Sequence, residues 1–242
     1  RIAHGSGFIW RREGRQFAIT NWHNVAGQNP FNGLHLNGGA SIPDSISVFP
    51  CVGSGRPGDP FRREEVILSL YDDFHSPFWL QHQHFNDLRI DIVAIELPPT
   101  MHRYISVNNA PFDRLHSHVG VDVYIVGYPF SQFDHMKLPI WKRGSIASEP
   151  LVNWEFRQTF LVDAASRPGM SGSPVFRRVF GPAAMMNDDG IQMQIDRVMS
   201  TEFVGVYAGH LGTVNEAVTI GFAWYGVLVE EILQAPAAGS RL

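Results

Sequence analysis

The chain has 242 residues, of which 44% are hydrophobic and 17% charged, so it is long and apolar enough to fold around a core and is not expected to be disordered. Its net charge of -4 provides no broad positive field, which argues against nucleic acid as a partner. Its apolar stretches are broken by polar residues well before the roughly 18 that a membrane-spanning helix requires, so no membrane span is expected.

In chain order, most periodic segments are short, rich in β-branched and aromatic residues, and separated by Gly, Pro or Asn, which predicts strands. The predicted strands are residues 17–20, 45–49, 66–70 and 91–97, and then 121–126, 159–162, 173–176, 203–208 and 218–223. Residues 98–99 and 108–114 are interpreted as a linker, and residues 53–63 and 180–196 as polar loops. This spacing of short strands predicts an all-β sandwich or barrel.

The end of the chain has a different period. Val227, Leu228, Ile232 and Leu233 fall near helical spacing, and the pattern stops before Pro236. We therefore expect a short C-terminal helix.

The segment 167–175, RPGMSGSPV, holds two serines and two glycines. Gly, Pro and Ser each favour turns, so a polar turn and a catalytic loop are equally consistent with this stretch alone. A serine nucleophile needs a base that takes its proton and an acid that orients the base. Any catalytic interpretation therefore depends on partners elsewhere in the chain.

His23 directly follows the predicted strand 17–20, where the end of a sheet can aim an imidazole. Asp91 opens the predicted strand 91–97, and a carboxylate in apolar surroundings is rarely left without a partner. Asp163, beside the strand 159–162, is the second candidate acid. A surface imidazole and a turn aspartate paired with Arg89 are the non-catalytic alternatives.

The single cysteine, Cys51, cannot form an internal disulfide, which favours a reducing compartment and a cytoplasmic location. Because the chain begins at Arg1 rather than Met, a periplasmic or secreted location is kept as the alternative. His82 and His84, with His75 upstream, suggest a zinc site as a minor alternative, but no cysteine pair or His-Glu-x-x-His helix accompanies them. No metal or other cofactor is expected.

Four segments occur in this order along the chain: Gly5-Ser6-Gly7-Phe8, Ile19-Thr20-Asn21-Trp22-His23-Asn24-Val25, Asp91-Ile92-Val93-Ala94-Ile95 and Gly169-Met170-Ser171-Gly172-Ser173-Pro174. Two further segments accompany them, Gly127-Tyr128-Pro129 and Ile220-Gly221-Phe222-Ala223. Together they resemble the chymotrypsin/trypsin-like serine peptidases, whose catalytic residues follow the same His, Asp, Ser order. The likeness is strongest to the disulfide-free bacterial branch that includes the high-temperature-requirement (HtrA/Deg-like) proteases. It extends from Gly5 to about Leu233.

The resemblance implies two six-stranded antiparallel β-barrels with the active site in the cleft between them. Residues 1–107 would form the first barrel, 108–224 the second, and 225–242 the C-terminal helix and tail. The resemblance further implies acyl transfer with Ser171 as nucleophile, His23 as general base and then acid, and Asp91 orienting His23. The N–H groups of Gly169 and Ser171 would form the oxyanion hole. Ser173, where the family usually has glycine, is interpreted as a backbone substitution rather than a second nucleophile.

By the same analogy, the primary specificity pocket has Ala165 near its base, with residues 206–209 on one wall and Phe222 and Ala223 opposite. The wall residues that the analogy assigns to substrate are Tyr207, Ala208 and Gly209. No Asp or Glu stands at these positions, so a small or medium apolar side chain is expected before the scissile bond. Peptide or protein substrates would pair with the edge at 207–209.

Met170 stands where trypsin-like zymogens carry an aspartate that pairs with a newly cut N-terminal amine. A thioether cannot make that ion pair, so activation by such a cleavage is not expected. Ordering of the Gly169 loop by a partner, an oligomer contact or substrate is the favoured form of control. A catalytically silent binding protein and an esterase with the same triad are the alternative functions.

Overall fold

The computed structural model describes residues 4–37, 41–53, 62–99, 104–109, 112–115, 117–133, 137–165, 167–186, 192–195, 199–211 and 220–242. The first half contains β1 Phe8–Arg12, β2 Arg15–Thr20, α1 Trp22–Ala26, β3 Ser45–Val48, β4 Cys51–Val52, β5 Arg62–Arg63, β6 Val66–Ser69, β7 Leu80–His82, α2 Phe85–Leu88 and β8 Val93–Glu96. The second half contains β9 Asp122–Gly127, β10 Ile140–Ile146, β11 Thr159–Asp163, β12 Pro174–Phe180, β13 Ala183–Met186, β14 Gln192–Ile195, β15 Met199–His210, β16 Ile220–Tyr225, α3 Val227–Gln234 and β17 Pro236–Ala238.

The second half of the chain closes into a six-stranded barrel. Its strand order is β10-β11-β16-β15-β12-β9, and every neighbouring pair is antiparallel. Closure leaves no unpaired edge, which satisfies the backbone of every strand. The interior is filled by alternate side chains of these strands: Val123, Ile125, Phe160, Val162, Val175 and Tyr207.

Strands of the first half, together with β17 from the C-terminal tail, form an open five-stranded antiparallel sheet of order β1-β2-β8-β7-β17; the first half also contains the two strand pairs β3-β6 and β4-β5. β1 turns into β2 through Glu13 and Gly14, both with positive φ, as a tight two-residue hairpin requires. The predicted all-β class is confirmed. The second barrel that the resemblance implies is not confirmed, because the described strands of this half do not close.

A hydrophobic cluster joins the two halves. It combines side chains of the N-terminal sheet with side chains of β15, β16 and α3: Phe8, Trp10, Ile92, Val206, Trp224 and Leu228. Fully burying an apolar side chain of this size stabilises the fold by about 1.5–3 kcal/mol. Packing of this cluster therefore fixes the loops of the two halves relative to each other.

The predicted C-terminal helix is confirmed as α3. Leu228, Val229 and Ile232 form its buried stripe. On its other side Glu230 accepts a hydrogen bond of 2.7 Å from Trp10 Nε1 and pairs with Arg12. The helix ends at Gln234 because Pro236, two residues on, cannot continue it. No helix of the described chain is long and apolar enough to cross a membrane.

The C-terminal tail adds β17 to the edge of the N-terminal sheet beside β7. Hydrogen bonds of Ser240 hold the tail against the sheet. The Ser240 carbonyl accepts from Trp22 Nε1 at 2.9 Å, and its backbone N–H and hydroxyl bond to Gln81. The tail therefore covers Trp22, the residue before His23.

Several predicted boundaries were wrong. The segment 180–196 was predicted as a loop, but β13 and β14 pair within it as a hairpin. The strand predicted at 91–97 begins only at Val93, so Asp91 precedes it in an irregular segment. β5 lies inside the loop predicted at 53–63, of which residues 54–61 fall outside the described chain. Strands β1, β4, β7, β10 and β17 were not predicted.

Candidate active site

His23 and Asp91 are joined by two hydrogen bonds. The His23 Nδ1 atom lies 2.7 Å from Asp91 Oδ2, and the His23 backbone N–H donates to Asp91 Oδ1 at 2.9 Å. Because an ionised carboxylate only accepts, Nδ1 carries the proton and Nε2 is left as the basic nitrogen. Asn21 Nδ2 donates to the Asp91 carbonyl at 2.6 Å, which fixes the aspartate backbone as well.

The local fold sets the direction of the His23 ring. His23 lies in the single turn of α1, directly after β2, and its neighbour Trp22 is completely buried. Gly27 ends this helix in the left-handed conformation and donates to the His23 carbonyl at 3.0 Å. Asp91 is 2% exposed, whereas His23 is half-buried, so the imidazole reaches the surface and its partner does not.

Ser171 is brought to the same place by its backbone. Its carbonyl accepts from Ser6 N–H at 2.7 Å and from Asn24 Nδ2 at 3.2 Å, and Asn24 directly follows His23. The Ser171 hydroxyl donates to the Ala208 carbonyl at 3.0 Å. Within the described residues no hydrogen bond joins this hydroxyl to His23. The structure therefore places the Ser171 backbone beside Asn24, the residue after His23, with the serine hydroxyl turned toward Ala208.

The two alternatives to these residues are placed elsewhere. Ser173 is completely buried, and it packs so closely that a Cβ on Gly127 would lie 2.0 Å from its Oγ. Asp163 is exposed at the end of β11 and does not contact His23. Ser173 is therefore closed to a substrate, and Asp163 is not the partner of this histidine.

The loop before Ser171 presents two backbone donors. Gly169 has a φ of +94°, and a Cβ there would lie 2.5 Å from the Tyr128 carbonyl, so only glycine fits. The Pro168 carbonyl accepts from Phe130 N–H at 2.7 Å, which turns the Gly169 N–H the opposite way across the trans peptide. As far as the chain is described, neither the Gly169 nor the Ser171 N–H has an acceptor.

Met170, between these two donors, is completely buried in the core of the barrel. It packs in the same cluster as Val123 and Val175. The loop is thus anchored by apolar packing at the position where an ion pair would stand in a zymogen.

Of the predicted pocket residues, Tyr207, Ala208 and Gly209 lie at the end of β15, and Phe222 and Ala223 lie opposite on β16. Tyr207 exchanges backbone hydrogen bonds with Gly172 and Ser173, at 2.8 and 2.9 Å, which sets this strand beside the serine. The Tyr207 side chain is 1% exposed and points into the barrel, where a Cβ on Gly221 would lie 2.3 Å from its Oη. The other predicted residues differ in exposure: Ala208 and Ala223 are buried, Gly209 and Phe222 are half-buried, and Ala165 is exposed.

The histidines considered for zinc have other contacts. His82 ends β7, with its Nε2 at 3.1 Å from Glu231 Oε2 and its Nδ1 accepting from the His84 backbone at 3.1 Å. His75 lies in a turn with a φ of 63°. Nowhere in the described ranges do three His, Cys, Asp or Glu side chains form a group that could hold a metal.

One residue of the site was not assigned a role from the sequence. Ser6, in the Gly5-Ser6-Gly7-Phe8 motif, is buried, and its hydroxyl donates to the Gly169 carbonyl at 2.7 Å. A serine between two glycines ahead of a strand was the available signal, but its partners lie more than a hundred residues away along the chain.

Comparison with known proteins identifies the family. A family model for the trypsin-like peptidase domain matches residues 5–180. No curated protein matches the chain in sequence. Similar solved structures include the HtrA-type protease AlgW with a tripeptide (18% identity, 95% of this chain, 54% of that chain, TM-score 0.49), Deg5 (13%, 95%, 80%, 0.47) and the active form of the Rv3671c protease from M. tuberculosis (16%, 98%, 75%, 0.43).

The chain thus spans about half the length of the AlgW chain that it matches. The family match itself covers most of the sequence, including His23, Asp91 and Ser171. The chain belongs to the trypsin-like peptidase domain family.

Proposed function

We propose that the chain is a serine endopeptidase in which Ser171 attacks the scissile carbonyl, His23 takes its proton and Asp91 holds His23 in the required tautomer. The observation that carries this proposal is the doubly bonded His23–Asp91 pair, 2.7 Å across Nδ1 and Oδ2, beside the loop of Ser171. A buried carboxylate in this position stabilises the imidazolium that forms when the serine is deprotonated.

The Ser171 hydroxyl must turn from the Ala208 carbonyl toward His23 Nε2 when substrate binds. This needs one rotation about a short side chain, and catalytic hydrogen bonds commonly tighten only in the substrate complex. The amide carbonyl is then attacked, and the proton passes through His23 to the departing amine. Water, deprotonated by the same histidine, releases the acyl group from Ser171.

The developing oxyanion would be held by the N–H groups of Gly169 and Ser171. Both donors lie on the loop that Met170 anchors in the barrel, so they need no reorganisation during the reaction. Removing one donor of this kind typically costs about 10²–10³ in rate.

Tyr207 gives a structural reason for the expected preference for a small apolar residue before the scissile bond. Its ring fills the barrel between β15 and β16, beneath the strand that would bind substrate, and Gly221 has no room for a side chain. We therefore propose that Ala165, Ala208, Gly209, Phe222 and Ala223 border a shallow pocket that accepts residues such as Ala or Val.

For the domain layout, we propose a first lobe over 1–107, which contributes His23 and Asp91, and a second over 108–224, which contributes Ser171. The cluster of Phe8, Trp10 and Val206 that packs between the halves supports this division. The helix and tail, 225–242, would then fasten the second lobe to the first, since α3 and β17 both contact β7.

A fluorophosphonate probe tests the nucleophile, because it labels only an activated serine. We expect labelling of the wild type and of Ser173→Ala, and none of Ser171→Ala or His23→Ala. Labelling of Ser171→Ala at the wild-type rate would overturn the assignment. No labelling of the folded wild type would indicate a binding protein instead, and cleavage of esters without peptides would indicate an esterase.

A further inference from the structure

We infer that Ser6 is a positioning residue for the oxyanion hole. This inference rests on the proposed function. The Ser6 hydroxyl donates to the Gly169 carbonyl at 2.7 Å and accepts the Tyr128 backbone N–H at 3.0 Å. A single buried hydroxyl thus bridges the loop that presents the oxyanion donors and the turn packed against it.

The backbone of Ser6 forms a hydrogen bond to the same loop at a second point. Its N–H donates to the Ser171 carbonyl at 2.7 Å, and its own carbonyl accepts from Thr20 Oγ1 at 2.8 Å. The carbonyls of Gly169 and Ser171 are therefore both bound by one residue. The two fixed carbonyls define the orientation of the Gly169–Met170 and Ser171–Gly172 peptide planes, which flank the Met170–Ser171 peptide that carries the Ser171 N–H.

Close packing leaves Ser6 no other position. Each of four neighbouring glycines lacks a side chain at a point where a Cβ would collide. On Gly127 the Cβ would lie 2.6 Å from Ser6 Oγ, and on Gly172 it would lie 2.1 Å from the Ser6 carbonyl. On Gly5 and Gly7 it would approach Asn24 and the Ile19 carbonyl to 2.5 and 2.8 Å. The Gly-Ser-Gly motif is explained by this enclosure.

The Tyr128 turn completes the arrangement. Phe130 and Ser131 have positive φ values of 52° and 57°, a conformation that directs the Phe130 N–H at the Pro168 carbonyl. That carbonyl must stay turned away if the Gly169 N–H is to face an oxyanion, because the two groups point in opposite directions from one peptide plane. Ser6 ties this turn to the carbonyl at the other side of Gly169.

A hydroxyl bridge is needed here because Gly169 alone would not hold the loop. A glycine has no Cβ to restrict it, so the peptide between Pro168 and Gly169 can rotate at little steric cost. Met170 fixes the other end of the loop by packing, but it has no charge with which to form a zymogen-type ion pair. Ser6 thus supplies within the chain the polar restraint that such an ion pair would provide.

The test is Ser6→Ala, compared with Ser106→Ala as a matched control. Ser106 is a buried serine, 3% exposed, whose hydroxyl accepts from Gln16 Nε2 at 3.0 Å and touches no residue of the Gly169 loop. We expect Ser6→Ala to lower kcat on a peptide substrate at least about 10-fold, with KM within about 2-fold, since the lost restraint acts on the transition state. Ser106→Ala should leave both within about 2-fold.

Two further measurements separate positioning from general destabilisation. Affinity for a peptide boronate, which forms a tetrahedral adduct, should fall by the same factor as kcat, while affinity for the product peptide stays unchanged. Hydrogen exchange of the Tyr128 and Phe130 amides should be at least about 10-fold faster in Ser6→Ala and unchanged in Ser106→Ala.

Equal kcat values for Ser6→Ala and Ser106→Ala, with unchanged exchange at Tyr128 and Phe130, would overturn the inference. If the wild type cleaves no peptide, the proposed function fails. Hydrogen exchange, which requires no turnover, then decides whether Ser6 restrains the Tyr128 turn and the Gly169 loop.

Discussion

Glu202 of β15 lies directly opposite Arg177 of β12 in the register of the barrel. Burial raises the pKa of the Glu202 carboxyl to about 7, against the opposing influence of Arg177 and a hydrogen bond from Ser117. Burial also lowers the pKa of Arg177. Asp113, on the segment that approaches β15, raises the pKa of Glu202 a little further. This pair is outside the proposed catalytic site and makes the stability of the barrel sensitive to pH.

The folded chain should lose stability as pH rises through the range from the ordinary Glu pKa of 4.5 to about 7. In that range the unfolded chain releases the Glu202 proton while the folded chain keeps it, so the free energy of unfolding falls by up to about 3 kcal/mol. Glu202→Gln should remove this contribution. Urea unfolding at several pH values measures it, with the exposed Glu149→Gln as control; identical pH slopes in Glu202→Gln and wild type would contradict the prediction.

Replacing Asp91 by Asn should nearly abolish peptide hydrolysis. The amide would donate rather than accept at His23 Nδ1, which favours the tautomer with the proton on Nε2, and kcat should fall about 10⁴-fold. Steady-state kinetics on a peptide amide measure this loss. The exposed Asp163→Asn should stay within about 2-fold, and comparable losses in the two variants would argue against the proposed roles.

Introducing the zymogen-type aspartate at position 170 should damage the fold. Met170 is completely buried among aliphatic side chains, so Met170→Asp would bury an unpaired carboxylate and cost about 3–5 kcal/mol. Met170→Leu preserves volume and should cost less than about 1.5 kcal/mol. Denaturant unfolding of both variants gives the comparison. A stable Met170→Asp protein would show that an internal cation reaches this position.

Replacing Tyr207 by a smaller residue should widen the range of side chains accepted before the scissile bond. Tyr207→Val removes the ring that fills the space beside Gly221, so the ratio of kcat/KM for a Leu substrate over an Ala substrate should rise at least about 10-fold. Tyr207→Phe keeps the ring and should keep the preference. Competition between peptides that differ only in the residue before the scissile bond provides the measurement. An unchanged ratio in a folded Tyr207→Val protein would remove Tyr207 from the specificity argument.

The sequence alone determined the features that depend on local periodicity and on residue order. Alternating β-branched residues predicted the barrel strands β9, β11, β12 and β16, and the spacing around Leu228 predicted α3. The order of His23, Asp91 and Ser171 with their flanking motifs predicted the family, which the domain match bears out. Their roles stay predictions until the kinetic tests are made.

The features that arise from pairing between distant segments depend on tertiary contacts, so the sequence did not predict them. β17 contains Pro236 and has no strand signal, and it is a strand because β7 offers an open edge. β10 carries the charged residues Lys142 and Arg143 and is a strand because β9 and β11 lie on either side of it. Ser6 meets Gly169 across 163 positions of the chain, a distance over which no local pattern carries information. The local periodicity of apolar residues indicates which face of a segment can be buried. Long-range pairing and packing determine which other segments contact that face.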